Sequence, residues 1–171
     1  MYHPTVGYYT APRRRVGRDK EADFFTATTF SPVFGELVVA AAAGLLAGRG
    51  ELRDFTFVEI GAEPAGGVLR DVAHPFGAYR TLSYGQPLEF TGRCVVFSNE
   101  LFDAQPFHRV AFRRGAWREL GVALAGEELR EVELAEPTAE LAAALPDFPP
   151  TAPEGYVIDA PLRTVPLLER L

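Results

Sequence analysis

Residues 54–72 read DFTFVEIGAEPAGGVLRDV, and the order of residue types there predicts a strand, a tight turn and a helix. Phe55, Phe57, Val58 and Ile60 form an apolar run of strand length, rich in aromatic and β-branched side chains. Gly61 ends the run. Ala65, Gly66 and Gly67 allow a tight turn, after which Val68, Leu69 and Val72 begin a helical face. Glu59 stands at the carboxyl end of the strand. In open α/β sheets that end, facing the amides that open the next helix, is where small ligands bind. The turn is not G-x-G-x-x-G, and on its residues alone a cofactor cradle and a plain structural turn are even readings.

On the amino-terminal side, Ser31-Pro32 has the composition of a helix start, with Ser31 as cap and Pro32 in the first turn. The expected helix runs through Val33, Phe34, Leu37 and Val38 to Leu46, mostly in the core, and stops at Gly48 and Gly50. Glu36 is expected to favour the helix dipole. Residues 1–22 carry Arg13, Arg14, Arg15, Arg18 and Lys20 and read as a basic, solvated arm. Gly7-Tyr8-Tyr9 in that arm offers an aromatic surface that can pack on the body.

On the carboxyl side, His74-Pro75 ends the expected helix, with His74 at the surface. Ala78–Ser83 reads as a second strand and residues 84–87, Tyr-Gly-Gln-Pro, as a turn. RCVVF at 93–97 reads as a second buried strand, with Cys94 as a buried small hydrophobe. It runs into Ser98, Asn99, Glu100 and Asp103. That is again a polar cluster after an apolar strand, and its place favours a site over a solvated loop. Residues 107–113 and 117–124 alternate around Arg114-Gly115-Ala116, a hairpin signal, and 129–134 adds a third antiparallel strand. Thr138 is expected to cap a short helix to Leu145. A proline-rich loop, an extended piece at 156–160 and a helix opening at Pro161 or Pro166 complete the chain.

The 171 residues, 47% hydrophobic, suffice for one core, and a single domain over 23–171 is expected. A net charge of −6 speaks against a broad nucleic-acid surface. One cysteine excludes an internal disulfide and a multi-cysteine metal site, and no metal is expected. The Ala-rich run at 37–46 is too short to span a membrane, and the first residues carry no apolar secretion segment. A reducing, cytoplasmic setting follows as the expectation.

Four segments taken in order resemble the MidA-like S-adenosylmethionine-dependent methyltransferases, which include the mitochondrial protein-arginine methyltransferase that assists complex I assembly. They are GYY at 7–9, DFFTATTFSPVFGEL at 23–37, FVEIGAEPAGGVLRDV at 57–72 and VVFSNELFDAQPFHRV at 95–110. The last is the most specific. The family pattern of Asn or His, Glu, two residues, Asp, then Pro and His is met by Asn99, Glu100, Asp103, Pro106 and His108. The resemblance implies an α/β fold: a Rossmann-like methyltransferase sheet flanked by helices, shortened, with an antiparallel hairpin or meander insertion. It implies S-adenosylmethionine as cofactor, bound by Glu59, Gly61, Thr26 and Ser98, and a protein side chain, arginine, as methyl acceptor. It implies Asn99, Glu100 and Asp103 as catalytic residues: Glu100 orienting and deprotonating the nucleophile, Asn99 hydrogen bonding to it, Asp103 ordering the loop. His108 is expected to be structural.

The departures are specific. Where the family turn resembles E-x-G-x-G-x-G, Glu63 and Ala65 replace the second and third glycines, although a one-residue shift would bring in Gly66 and Gly67. Glu63 would set a negative charge against the donor's carboxylate. No acid for the ribose hydroxyls follows the second strand before Glu89, and Thr28-Thr29 replaces a Pro-Glu pair. The family's later strands are missing before Leu171, so the domain is expected to be incomplete at its carboxyl end. An alternative function follows: a non-catalytic, degenerate relative serving as a protein-binding or assembly module. An uncovered sheet edge would favour a homodimer.

Overall fold

The computed structural model describes residues 2–10, 23, 27, 32–62, 66–83 and 85–171. They fall into two compact units, Met1–Asp103 (with Leu171) and Ala104–Arg170.

The first unit is built on a parallel sheet of β1 (Phe55–Ile60), β2 (Ala78–Leu82) and β3 (Arg93–Ser98) in the order β2-β1-β3. The aromatic and β-branched run of β1 takes the centre because both its faces are apolar, as a strand covered on both sides requires. On one face Phe55 and Phe57 pack with Phe76, Val68, Leu69 and Ala42. Helix α1 (Pro32–Leu45) covers that face through Phe34, Val38 and Val39. On the other face Val58, Ile60 and Leu82 pack with Leu88, Phe90, Cys94 and Leu101. Phe57 is fully buried, and its ring contacts Phe76 at 5.2 Å and Phe97 at 5.8 Å between centroids.

Several expectations are corrected here. Residues 66–72 form turns, not a helix: Arg70 N–H donates to Gly67 O at 3.3 Å and Val72 N–H to Leu69 O at 3.2 Å, a three-residue spacing. Gly66-Gly67 and the following apolar residues are drawn onto the sheet, which leaves too little chain to propagate a helical ladder. Helix α1 is not mostly core. Gly35 and Ala42 are its buried residues, while Val33, Leu37 and Leu45 are exposed, since a three-stranded sheet covers one side of a helix. Glu36 lies beyond its first turn, and Ser31 lies outside the described residues. Strand β3 is half-buried rather than buried, because it is an edge of the sheet, and Cys94 is half-buried with it. His74 is half-buried rather than fully at the surface: its ring lies 5.8 Å from that of Phe76 and 6.1 Å from that of Tyr79. In the arm, Tyr8 donates to Asp23 at 2.7 Å and Tyr2 stacks on Tyr9 at 5.1 Å; residues 11–22 lie outside the described residues.

The second unit is an antiparallel sheet of β4 (His108–Arg113), β5 (Ala116–Ala125), β6 (Glu128–Glu133) and β7 (Val157–Ala160), ordered β6-β5-β4-β7. The expected meander is present, and the extended piece at 157–160 joins it beside β4. Arg114 and Gly115, at φ 53° and 74°, make a two-residue turn with both central residues left-handed, the geometry that suits the twist of a hairpin. Trp117 meets Phe112, Phe148 and Tyr156 edge-on and donates to Pro149 O at 2.8 Å, which pins the proline-rich loop. Of two short helices, α2 (Ala139–Ala144) starts after Thr138 as expected, whereas α3 (Thr164–Glu169) starts at Thr164, between the expected Pro161 and Pro166. Thr138 precedes α2 but makes no side-chain cap bond; its hydroxyl and its amide go to Glu119 instead.

Candidate functional site

The three parallel strands end level with one another. Ile60 is in register with Leu82 on one side and with Ser98 on the other. The loops leaving β1 and β3 therefore start side by side, and they carry the residues singled out in the sequence. Gly61 leaves β1 exposed, at φ 80°, and its N–H donates to Leu82 O at 2.8 Å. A Cβ at Gly61 would meet the Leu101 side chain at 2.9 Å, so the loop after β3 lies directly on the loop after β1. Ser98 and Asn99 are half-buried, and Glu100 and Asp103 are exposed. Glu100 is left-handed, at φ 51°. That conformation costs a non-glycine residue about 1–3 kcal/mol and collects at functional sites. Here it sets the direction in which Leu101 packs against Ile60 and Gly61.

Glu59 is buried, 4% exposed, on the face covered by α1. One oxygen of its carboxylate accepts the Val68 N–H at 2.7 Å and the Tyr79 hydroxyl, and that hydroxyl also accepts the Leu69 N–H at 3.4 Å. Burial, then the hydrogen bond and the charge of Glu59, hold the Tyr79 phenol far above its usual range, so it stays protonated and donating. Glu59 thus ties the far side of the turn to the sheet. Gly67, at φ 127°, is required there: a Cβ would lie 2.2 Å from the Tyr79 oxygen.

The structure brings Glu59, Gly61, Ser98, Asn99, Glu100 and Asp103 to one end of one sheet. Thr26, Glu63 and Ala65 lie outside the described residues. Tyr79 was not singled out in the sequence. The available signal was register, because a tyrosine opening β2 on the face of Phe57 points toward Glu59. At the end of β2, where an acid is missing, Ser83 donates to Ala62 O at 3.0 Å. Among the described residues there is no cluster that would hold a metal ion.

Residues 77–171 match the model of a protein family described as "Putative S-adenosyl-L-methionine-dependent methyltransferase". The chain belongs to this family. The MidA-like proteins are members of it. The matched part of this methyltransferase family member begins at Gly77, so it holds the β3 loop with Asn99, Glu100 and Asp103 but not the β1 loop. The whole fold is similar to a crystal structure from Burkholderia thailandensis of a "likely methyl transferase" bound to S-adenosyl-homocysteine. The TM-score is 0.67 at 24% identity, over 99% of this chain and 51% of the other, and the likeness is one of fold. The chain thus spans about half the length of that relative. No curated protein matches the sequence. No described helix is long and apolar enough to cross a membrane.

Proposed function

We propose that the chain carries the donor-binding end of an S-adenosylmethionine-dependent methyltransferase acting in the cytoplasm on a protein side chain, arginine. The observation that carries this reading is the level ending of β1 and β3, which sets an exposed glycine beside a loop of amide and carboxylate side chains. Family membership and the ligand of the solved relative support the same donor.

The residues present fit such a donor unevenly. Gly61 offers backbone without a side chain at the end of the central strand, and Ser98 and Asn99 offer polar groups at the end of its neighbour. Glu59 supports the loop from behind. Ser83 has its hydroxyl committed to Ala62 O and offers no carboxylate. When bound, S-adenosylmethionine supplies an electrophilic methyl group on a sulfonium. The chain's own contribution is positioning, which accounts for most of the rate gain in such transfers. Glu100, exposed on its left-handed backbone, binds a guanidinium through paired hydrogen bonds and takes up its proton. Asn99 orients the nucleophilic nitrogen, and Asp103 orders the loop.

A second reading, a non-catalytic module that binds a partner protein, is favoured by the commitment of Ser83 and by Glu63 and Ala65 in the expected glycine places. Calorimetric titration with S-adenosylmethionine and S-adenosylhomocysteine separates the two. Micromolar binding, about −8 kcal/mol, is the expected result. A folded chain that takes up neither compound sinks the enzymatic reading and leaves the second.

A further inference from the structure

Tyr79 is the polar group of this region that the proposed chemistry does not use. It sits on β2, in register with Phe57 of β1, so its ring lies on the same face as Glu59. Three backbone positions of the turn depend on its oxygen or on the carboxylate it holds. Val68 N–H reaches Glu59 at 2.7 Å, Leu69 N–H reaches the Tyr79 oxygen at 3.4 Å, and Gly67 lies against that oxygen so closely that no Cβ fits. The ring is fixed independently of the hydroxyl, 6.1 Å from the Phe57 ring and 6.1 Å from the His74 ring. A carboxylate buried beside an aromatic core is held there only while hydrogen bonds replace the water it has lost.

We propose that Tyr79 is a positioning residue for the methyl donor: its hydroxyl keeps the Glu59 carboxylate aimed at Val68, and thereby holds the Gly67–Leu69 backbone against the sheet in the arrangement that receives the donor. The inference rests on the donor reading given above. Removal of the hydroxyl takes from the Glu59 carboxylate one of the hydrogen bonds that fix its orientation, leaving the Val68 N–H. The carboxylate can then turn, which weakens its hold on the Val68 N–H.

The test is Tyr79→Phe in the full chain, which keeps the ring packing. Amide exchange at Val68 and Leu69 without donor should accelerate by tenfold or more. S-adenosylhomocysteine binding should weaken about tenfold. Unchanged exchange at both amides overturns the proposal. So does faster exchange with unaltered affinity, which would make the contact structural only. Wild-type protein that binds no donor defeats the donor reading itself, and it is told apart because it is read before any variant is compared. If Tyr79→Phe does not fold, Glu59→Gln serves. It keeps an acceptor oxygen and loses the charge that strengthens both hydrogen bonds, so affinity should drop. Full affinity in Glu59→Gln overturns the proposal as well.

Discussion

Among the described residues each unit buries one carboxylate, and the two are held by different means. Glu59 in the parallel unit is met by neutral donors, an amide and a phenol, one from the turn after β1 and one from β2. Glu119 in the antiparallel unit, 6% exposed, bonds the His108 ring at 2.7 Å and accepts the Thr138 N–H at 2.6 Å and the Thr138 hydroxyl at 3.2 Å. The other His108 nitrogen lies 3.5 Å from Glu140, which pairs with Arg163 at 3.1 Å. Glu119 therefore ties β4, β5 and the start of α2 into one polar network. Glu59 ties a turn to a sheet beside exposed polar residues. A buried acid surrounded by satisfied partners on regular elements is a staple, and one that fixes an irregular loop at the ends of parallel strands is placed to serve a site.

The largest expected effect tests the staple. Glu119→Ala leaves His108 and the Thr138 amide without their acceptor, and should cost about 3 kcal/mol. Trp117, the single tryptophan, lies in the second unit, so urea unfolding followed by its fluorescence reads that unit directly. A loss under about 1 kcal/mol would show that water replaces the network, and the contrast with Glu59 would collapse.

Next in size is Glu100→Gly. Glycine tolerates the left-handed backbone, so the fold should hold its melting temperature or gain slightly while the carboxylate is lost. If Glu100 orients and deprotonates the acceptor, turnover should fall about 100-fold with donor affinity unchanged. Full turnover in this folded variant would remove Glu100 from the mechanism.

A smaller effect compares two left-handed glycines. Gly61→Ala and Gly115→Ala each strain the backbone, by about 1 kcal/mol, but only at Gly61 does the new methyl meet a side chain, that of Leu101. Thermal unfolding should show the Gly61 variant as the more damaged. Equal losses would mean that the two strand-end loops do not lean on each other.

The smallest effect is in pH. Burial alone would raise the Glu119 carboxyl, but the bonds to His108 and to Thr138 outweigh it and hold it below the ordinary value near 4.5. A depressed folded value means that the contribution is complete above pH 4.5 and is lost as pH falls through the lower, folded one. Acid titration of Trp117 fluorescence should show stability falling below pH 4.5, with the fall reduced in Glu119→Gln; Glu140 and Asp159, also held below their ordinary values, supply the remainder.

Much of this was legible in residue order. The run of β1, the alternation of β4 and β5 around Arg114-Gly115, and the polar residues after β3 are local patterns with local causes: side-chain periodicity, left-handed turn chemistry and strand length. The resemblance then grouped Glu59, Gly61, Ser98, Asn99, Glu100 and Asp103, and the level strand ends put them together. The failures share one cause. Val68, Leu69 and Val72 have helical spacing, yet the amides of Val68 and Leu69 have better partners in Glu59 and Tyr79 than in a new helical turn. Thr138 has the residue type of a cap, yet Glu119 from another strand takes its hydroxyl. Local propensity decides where strands and turns form, because those interactions are made within a few residues. Which buried carboxylate becomes a staple and which one serves the loop depends on partners many residues away, and only chain closure brings those within bonding distance.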